Sequence, residues 1–180
     1  MEIAVLTVSD RSYRGEREDL SGPATSEAVQ QHLGWHCTKT AIVPDDLNAI
    51  AAQLRTWADE ERFPLILTTG GTGFSPSDVT PEATREVIAR EAPGLVEAVR
   101  ATSLRITSHA MLSRAVSGIR GQSLIVNLPG SPQGVREAIE ILAPALPHAL
   151  EVLSEVPKAD TRHRHDVGNQ KQISSEVDED

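Results

Sequence analysis

Residues 65–84 read LILTTGGTGFSPSDVTPEAT. The apolar run of residues 65–69 leads straight into Gly70-Gly71-Thr72-Gly73, and a helix start follows at Thr80-Pro81-Glu82. There Thr80 offers a capping hydroxyl, Pro81 suits the first helical position and Glu82 places an acid at the positive end. The stretch reads as a strand, a glycine loop and a helix. The same alternation extends outward in both directions. Residues 3–9, IAVLTVS, form a short apolar run suited to a strand covered on both faces. A charged loop follows, and Pro23 sits in the first turn of a helix running to about Leu33. Residues 38–43 read as a second strand. Asp45 or Asp46 then caps a helix whose apolar positions Leu47, Ile50, Leu54 and Trp57 share one face. Beyond the glycine loop, the helix from Thr80 is expected to end near Pro93-Gly94, and another covers residues 95–104. A hairpin over 115–119 and 124–128 turns at Gly121-Gln122. The last apolar stripe, from Val135 to Leu153, is kinked or divided by Pro144 and Pro147. These elements predict an α/β three-layer sandwich with a mainly parallel central sheet and helices on both faces.

A chain of 180 residues suits one domain. Its net charge is −9, from 26 acids against 17 bases, which removes the driving force for general nucleic-acid binding. Only 3% of residues are aromatic, too few for stacking platforms. Cys37 stands alone, which excludes an intrachain disulfide and a multi-cysteine zinc site. His36 beside it suggests a partly buried pair. No apolar run approaches the roughly 20 residues of a membrane span, and the start lacks the pattern of a signal peptide. A cytoplasmic location is expected. Residues 158–180 are polar and read as a disordered tail behind a domain of residues 1–157. His163 and His165 in that tail read as solvated rather than metal-binding.

Glycines between a strand and a helix let backbone N–H groups surround phosphate oxygens. Two familiar phosphate motifs fail here. No lysine completes a P-loop, and a GxGxxG starting at Gly71 breaks at Pro76. A phosphate-rich ligand then needs another counter-charge, which Mg²⁺ held by one or two carboxylates provides. Asp78 lies in the same connection and Asp45 follows the second strand. In a parallel sheet both face one edge, although helix capping explains either residue taken alone. The connection after the first strand carries Ser9, Asp10, Gly15 and Asp19 toward that edge. The segment 127–132, NLPGSP, brings Pro129, Gly130 and Ser131 there, where Ser131 also suits a helix cap.

TVSDR (7–11), GEREDLSGP (15–23), VPDD (43–46), TTGGTGFSPSDVTPEAT (68–84), AMLSRAVSGIRG (110–121) and NLPGSP (127–132) occur in this order. Together they make the chain resemble the molybdenum-cofactor biosynthesis family of MogA/MoaB type, which includes the gephyrin G domain. The resemblance covers about residues 2–155. It implies a molybdopterin adenylyltransferase, which transfers AMP from Mg-ATP to the molybdopterin phosphate and releases pyrophosphate. It assigns Asp45 and Asp78 to Mg²⁺ and catalysis. Gly70, Gly71, Thr72, Gly73, Pro129, Gly130 and Ser131 fall to nucleotide binding. Molybdopterin binding falls to Ser9, Asp10, Gly15, Asp19, Ser103, Ser113 and Arg114. A homotrimer and a molybdate-insertion partner protein are further implications. A carrier or scaffold that binds molybdopterin without turnover is the alternative.

Overall fold

Strand β1 (Glu2–Val8) sends Ile3 and Val5 to one face and Ala4, Leu6 and Val8 to the other, and all five are buried. Such a two-sided apolar strand requires cover on both faces. The computed structural model, which describes residues 1–154, supplies that cover. The tail read over 158–180 lies outside those residues, as do 155–157. After β1 come a one-turn helix α1 (Asp10–Tyr13), α2 (Ser21–Leu33), β2 (His36–Val43), α3 (Leu47–Arg55) and β3 (Leu65–Thr69). The second half holds α4 (Thr80–Val87), β4 (Arg90–Glu91), α5 (Gly94–Ser103), β5 (Ser117–Arg120), β6 (Ser123–Leu128), α6 (Pro132–Leu142) and α7 (Leu146–Leu153).

The six strands form one sheet in the order β2-β1-β3-β6-β5-β4. The first four are parallel, and β5 and β4 run antiparallel at the far edge. Helices α2, α6 and α7 cover one face, over Ile3, Val5, Leu65, Leu67, Leu124 and Val126. Helices α3 and α4 cover the other, over Ala4, Leu6, Ile66 and Ile125. This is the expected three-layer α/β architecture. The chain leaves β1 toward β2, then crosses back to place β3 on the opposite side of β1. A crevice opens beyond the strand ends at such a reversal, and the ends of β1 and β3 stand there.

Several local readings change. The helix from Thr80 stops at Val87, well short of Pro93. The chain instead adds β4 to the sheet edge, where Ala89 N–H donates to the Ile119 carbonyl at 2.8 Å and Ala92 N–H to the Ser117 carbonyl at 2.9 Å. A side chain at Gly118 would lie 2.7 Å from the Arg90 carbonyl oxygen, so that close approach needs glycine. Thr80 is not a cap, because its Oγ1 donates to the Gly70 carbonyl at 2.9 Å. The charged loop after β1 contains α1, capped by Ser9 Oγ accepting from Ser12 N–H at 3.2 Å. His36 is exposed on the edge strand β2, so it forms no buried pair with Cys37. Pro144 and Pro147 divide the last stripe, as expected, into α6 and α7.

Candidate functional site

Of the two adjacent acids after β2, Asp46 takes the capping role. Its Oδ1 accepts from Ala49 N–H at 2.8 Å. Asp45 is thereby left for the crevice. Its Oδ2 accepts from Asp10 N–H at 2.9 Å, and Asp10 Oδ1 accepts from Asp45 N–H at 3.1 Å, a reciprocal clasp between the ends of β1 and β2. Burial pushes the Asp45 carboxyl above its ordinary value. The Asp10 N–H pulls it back, while the carboxylates of Asp10 and Asp78 add to the rise. Across the crevice, Asp78 closes the glycine loop, with Oδ2 accepting from Ser75 N–H at 3.0 Å.

The loop has a definite polarity. All four carbonyl oxygens of Gly70–Gly73 are occupied on the protein side. Gly70 accepts from Thr80 Oγ1 at 2.9 Å and Gly71 from Thr80 N–H at 3.1 Å. Thr72 accepts from Arg114 N–H at 2.9 Å and Gly73 from Arg114 Nε at 2.7 Å. The loop also lies against the acids. A side chain at Gly71 would meet Thr80 Oγ1 and stand 3.0 Å from Asp45 Oδ1, and one at Gly73 would stand 2.8 Å from Asp78 Oδ2. The positive φ of 62° together with that closeness favours glycine at Gly71, whereas at Gly73 the near atom is the movable end of the Asp78 side chain. The second loop is joined to the first, because Thr69 Oγ1 donates to the Pro129 carbonyl at 2.6 Å. Ser131 Oγ caps α6, accepting from Gly134 N–H at 3.1 Å, so the positive end of an 11-residue helix faces the same region.

Two cavities meet at this point. The larger, about 650 Å³, is walled by the glycine loop, the 129–131 loop, α5 and the 3₁₀ turn Ser108–Leu112. The smaller, about 190 Å³, is lined by Ser9, Asp19, Asp45 and Gly70 among others. Gly71, Asp78 and Gly130 wall both. No lysine lines either one. Lys39, the sole lysine before residue 158, lies on β2 and pairs with Glu61 at 3.1 Å. Among the described residues no group of three or more His, Cys, Asp or Glu is arranged to hold a metal ion.

Residues 4–148 match the family model described as "Probable molybdopterin binding domain". The chain belongs to this family. It is similar to gephyrin of Dictyostelium discoideum, 41% identical over 172 residues that cover 91% of this chain and 24% of the relative. The chain thus spans about a quarter of that relative's length. It is also similar to the molybdopterin adenylyltransferase of Helicobacter pylori strain J99, 41% identical over 157 residues covering 85% and 88% of the two chains. Among solved structures, the molybdopterin biosynthesis enzyme MoaB of Thermus thermophilus is 49% identical, with a TM-score of 0.79 over 85% of this chain and 96% of that one.

In this member of the family the residues expected at the site fall into three groups. Asp78, Gly71, Thr72, Gly73, Pro129, Gly130, Ser131, Ser103 and Ser113 line the large cavity. Ser9, Asp19 and Asp45 line the small one, and Asp10 joins it through Asp45. Asp19 is already engaged. Its Oδ1 accepts from Ser21 and Gly22 N–H, both at 3.0 Å, and its Oδ2 from Thr7 Oγ1 at 2.7 Å, which anchors α2. Gly15 and Arg114 line neither cavity: Gly15 is an exposed turn residue and Arg114 stands behind the glycine loop. Arg100 and His109 line the large cavity, and sequence reasoning missed both. Arg100 precedes Ser103 by three residues, so helical spacing alone places it beside that serine. His109 had no such signal, because the 3₁₀ turn that carries it was not legible.

Proposed function

We propose that this chain is a molybdopterin adenylyltransferase acting in molybdenum-cofactor biosynthesis. The observation that carries the reading is Asp78 at the junction of both cavities, with Asp45 across from it and two glycine loops alongside. A molybdopterin phosphate oxygen attacks the α-phosphorus of ATP. A new P–O bond joins AMP to that phosphate, the bond to the β-phosphate oxygen breaks, and pyrophosphate leaves. Several anions must be held in line, so positioning and charge neutralisation do most of the work. The two loops and the α6 N-terminus supply backbone donors. Ser103 and Ser113 on the large-cavity wall are the hydroxyls available to molybdopterin, with Arg100 adding a cation beside them.

The donor set fits Mg²⁺. Hard carboxylate oxygens suit it, and two of them leave room for substrate phosphate oxygens and water. Asp45 and Asp78 would hold the ion, and its charge would offset that of the phosphates where lysine is missing. Burial and the carboxylates of Asp10 and Asp78 raise the Asp45 carboxyl, and a cation held there would oppose that rise. The resemblance adds a homotrimer, a molybdate-insertion partner protein and a cytoplasmic setting to the proposal. No helix among the described residues is long and apolar enough to cross a membrane. The test is substitution of each acid. Asp45→Asn and Asp78→Asn should each lower the rate of adenylyl-molybdopterin formation by about 10²-fold or more while the fold and molybdopterin binding persist. Unchanged turnover in both variants would defeat the assignment.

A further inference from the structure

Arg114 is bonded to the glycine loop through both its backbone and its side chain. Its N–H donates to the Thr72 carbonyl at 2.9 Å and its Nε to the Gly73 carbonyl at 2.7 Å. Its Nη2 reaches the Asp78 carbonyl at 2.5 Å, and its Nη1 pairs with Glu82 Oε1 at 2.5 Å on the first turn of α4. One guanidinium thus fixes the distance between Gly73 and Asp78, the two ends of the segment that presents the Asp78 carboxylate. The fork of five donors on arginine makes this possible, and lysine cannot reproduce it. Arg114 lines neither the large cavity nor the small one; together with Ser75, Asp78 and Glu82 it lines a third, of about 410 Å³. Ser113, the residue before it, lines the large cavity, and the Ser113 carbonyl accepts from Arg100 Nε at 3.1 Å.

We infer that Arg114 is a positioning residue for the adenylyl-transfer site, a role that rests on the function proposed above. It has two effects. It removes the carbonyl oxygens of Thr72 and Gly73 from the face that receives phosphate, so their negative dipole ends do not oppose the ligand. It also sets where the Asp78 carboxylate stands relative to that loop. The carboxylate itself has one hydrogen bond among the described residues, from Ser75 N–H within the same segment. Loss of the guanidinium releases the segment as a unit. A displacement of about 1 Å at a reacting centre costs on the order of 10²-fold in rate.

The test compares the full-length Arg114→Gln, Arg114→Lys and Glu82→Gln variants with wild type. Arg114→Gln should lower kcat by at least about tenfold and leave the KM for molybdopterin within about threefold, because the guanidinium does not touch that ligand. Arg114→Lys should recover little, whereas Glu82→Gln, which keeps both carbonyl contacts, should lose less than about threefold. Hydrogen exchange gives a readout independent of turnover. Amides of residues 70–79 should exchange at least about tenfold faster in Arg114→Gln, with β1 and β3 unchanged. A raised molybdopterin KM at unchanged kcat would make Arg114 a ligand contact and overturn the inference. So would wild-type exchange in the loop, or global unfolding of both Arg114 variants at 25 °C. If wild type forms no adenylyl-molybdopterin while Arg114→Gln still loosens the loop, the functional reading fails and the positioning of Asp78 by Arg114 stands.

Discussion

Asn127 shows how much one buried polar side chain does here. It sits on β6 beside the crevice, where its Oδ1 accepts from Val116 N–H at 3.1 Å. Its Nδ2 donates to Thr68 Oγ1 at 2.9 Å and to Thr84 Oγ1 at 2.8 Å. Strand β3, helix α4 and the segment leading into β5 are thereby tied to one amide. Asn127→Ala leaves buried polar groups without partners, each costing about 1–3 kcal/mol. Urea unfolding should show a loss of about 3 kcal/mol. A loss well under about 1 kcal/mol would mean that water replaces the amide. At this scale the sequence was partly legible. It offered Asp45 and Asp46 as equal candidates for the cap of α3, since neighbouring carboxylates satisfy the same rule. The fold gives the cap to Asp46 and the crevice to Asp45 because the Asp10 N–H lies within reach of Asp45 alone. Arg114 in the LSR motif reads as a ligand contact, and no sequence rule shows that its guanidinium meets carbonyl oxygens 36 and 41 residues away.

Elements were legible where periodicity was strong. β1 and β3 read as apolar runs and lie inside the sheet, and Pro144 between α6 and α7 and Pro147 in the first turn of α7 mark the division. The end of α4 was not legible, because β4 exists only through its pairing with β5 across Gly118. The two-residue strand has no pattern of its own. The apolar spacing carried the helix of α3 on to Trp57, but its change to π geometry after Arg55 had no pattern of its own. A π-helical turn, Thr56–Glu60, buries Trp57 completely and turns Asp59 toward Arg120 at the end of β5. That ion pair is bidentate, at 2.8 and 2.6 Å, and joins the α3 layer to the antiparallel edge. The hydrogen bond from Arg120 holds the Asp59 carboxyl below its ordinary value. A carboxyl depressed in the fold adds stability above its unfolded value, and that contribution is lost as pH falls through the folded value. Asp59→Asn should therefore melt below wild type at pH 7, and the gap should close as the pH drops below 3.8. A gap that persists in acid would assign the effect to packing instead of charge.

For the whole molecule, residues 1–154 supply the six-stranded sheet, both helix layers and the lining of the two cavities. Removal of residues 158–180 is predicted to preserve both the melting temperature and adenylyl transfer; loss of either would give the tail a role that its composition does not suggest. The charge of −9 also gains a meaning at this scale. It spoke first against nucleic acid, and it now describes a protein whose proposed phosphate site works through backbone donors, Arg100 and two carboxylates for a cation. The fold class followed from strand and helix alternation. The composite cavity did not, because α5, the 3₁₀ turn and the two loops come together only through the sheet order. The most direct measurement incubates the purified full-length protein with molybdopterin and Mg-ATP and follows the products by mass spectrometry. Adenylyl-molybdopterin with an equal amount of pyrophosphate is the predicted result; bound molybdopterin and ATP with no such product would contradict the account and leave a carrier.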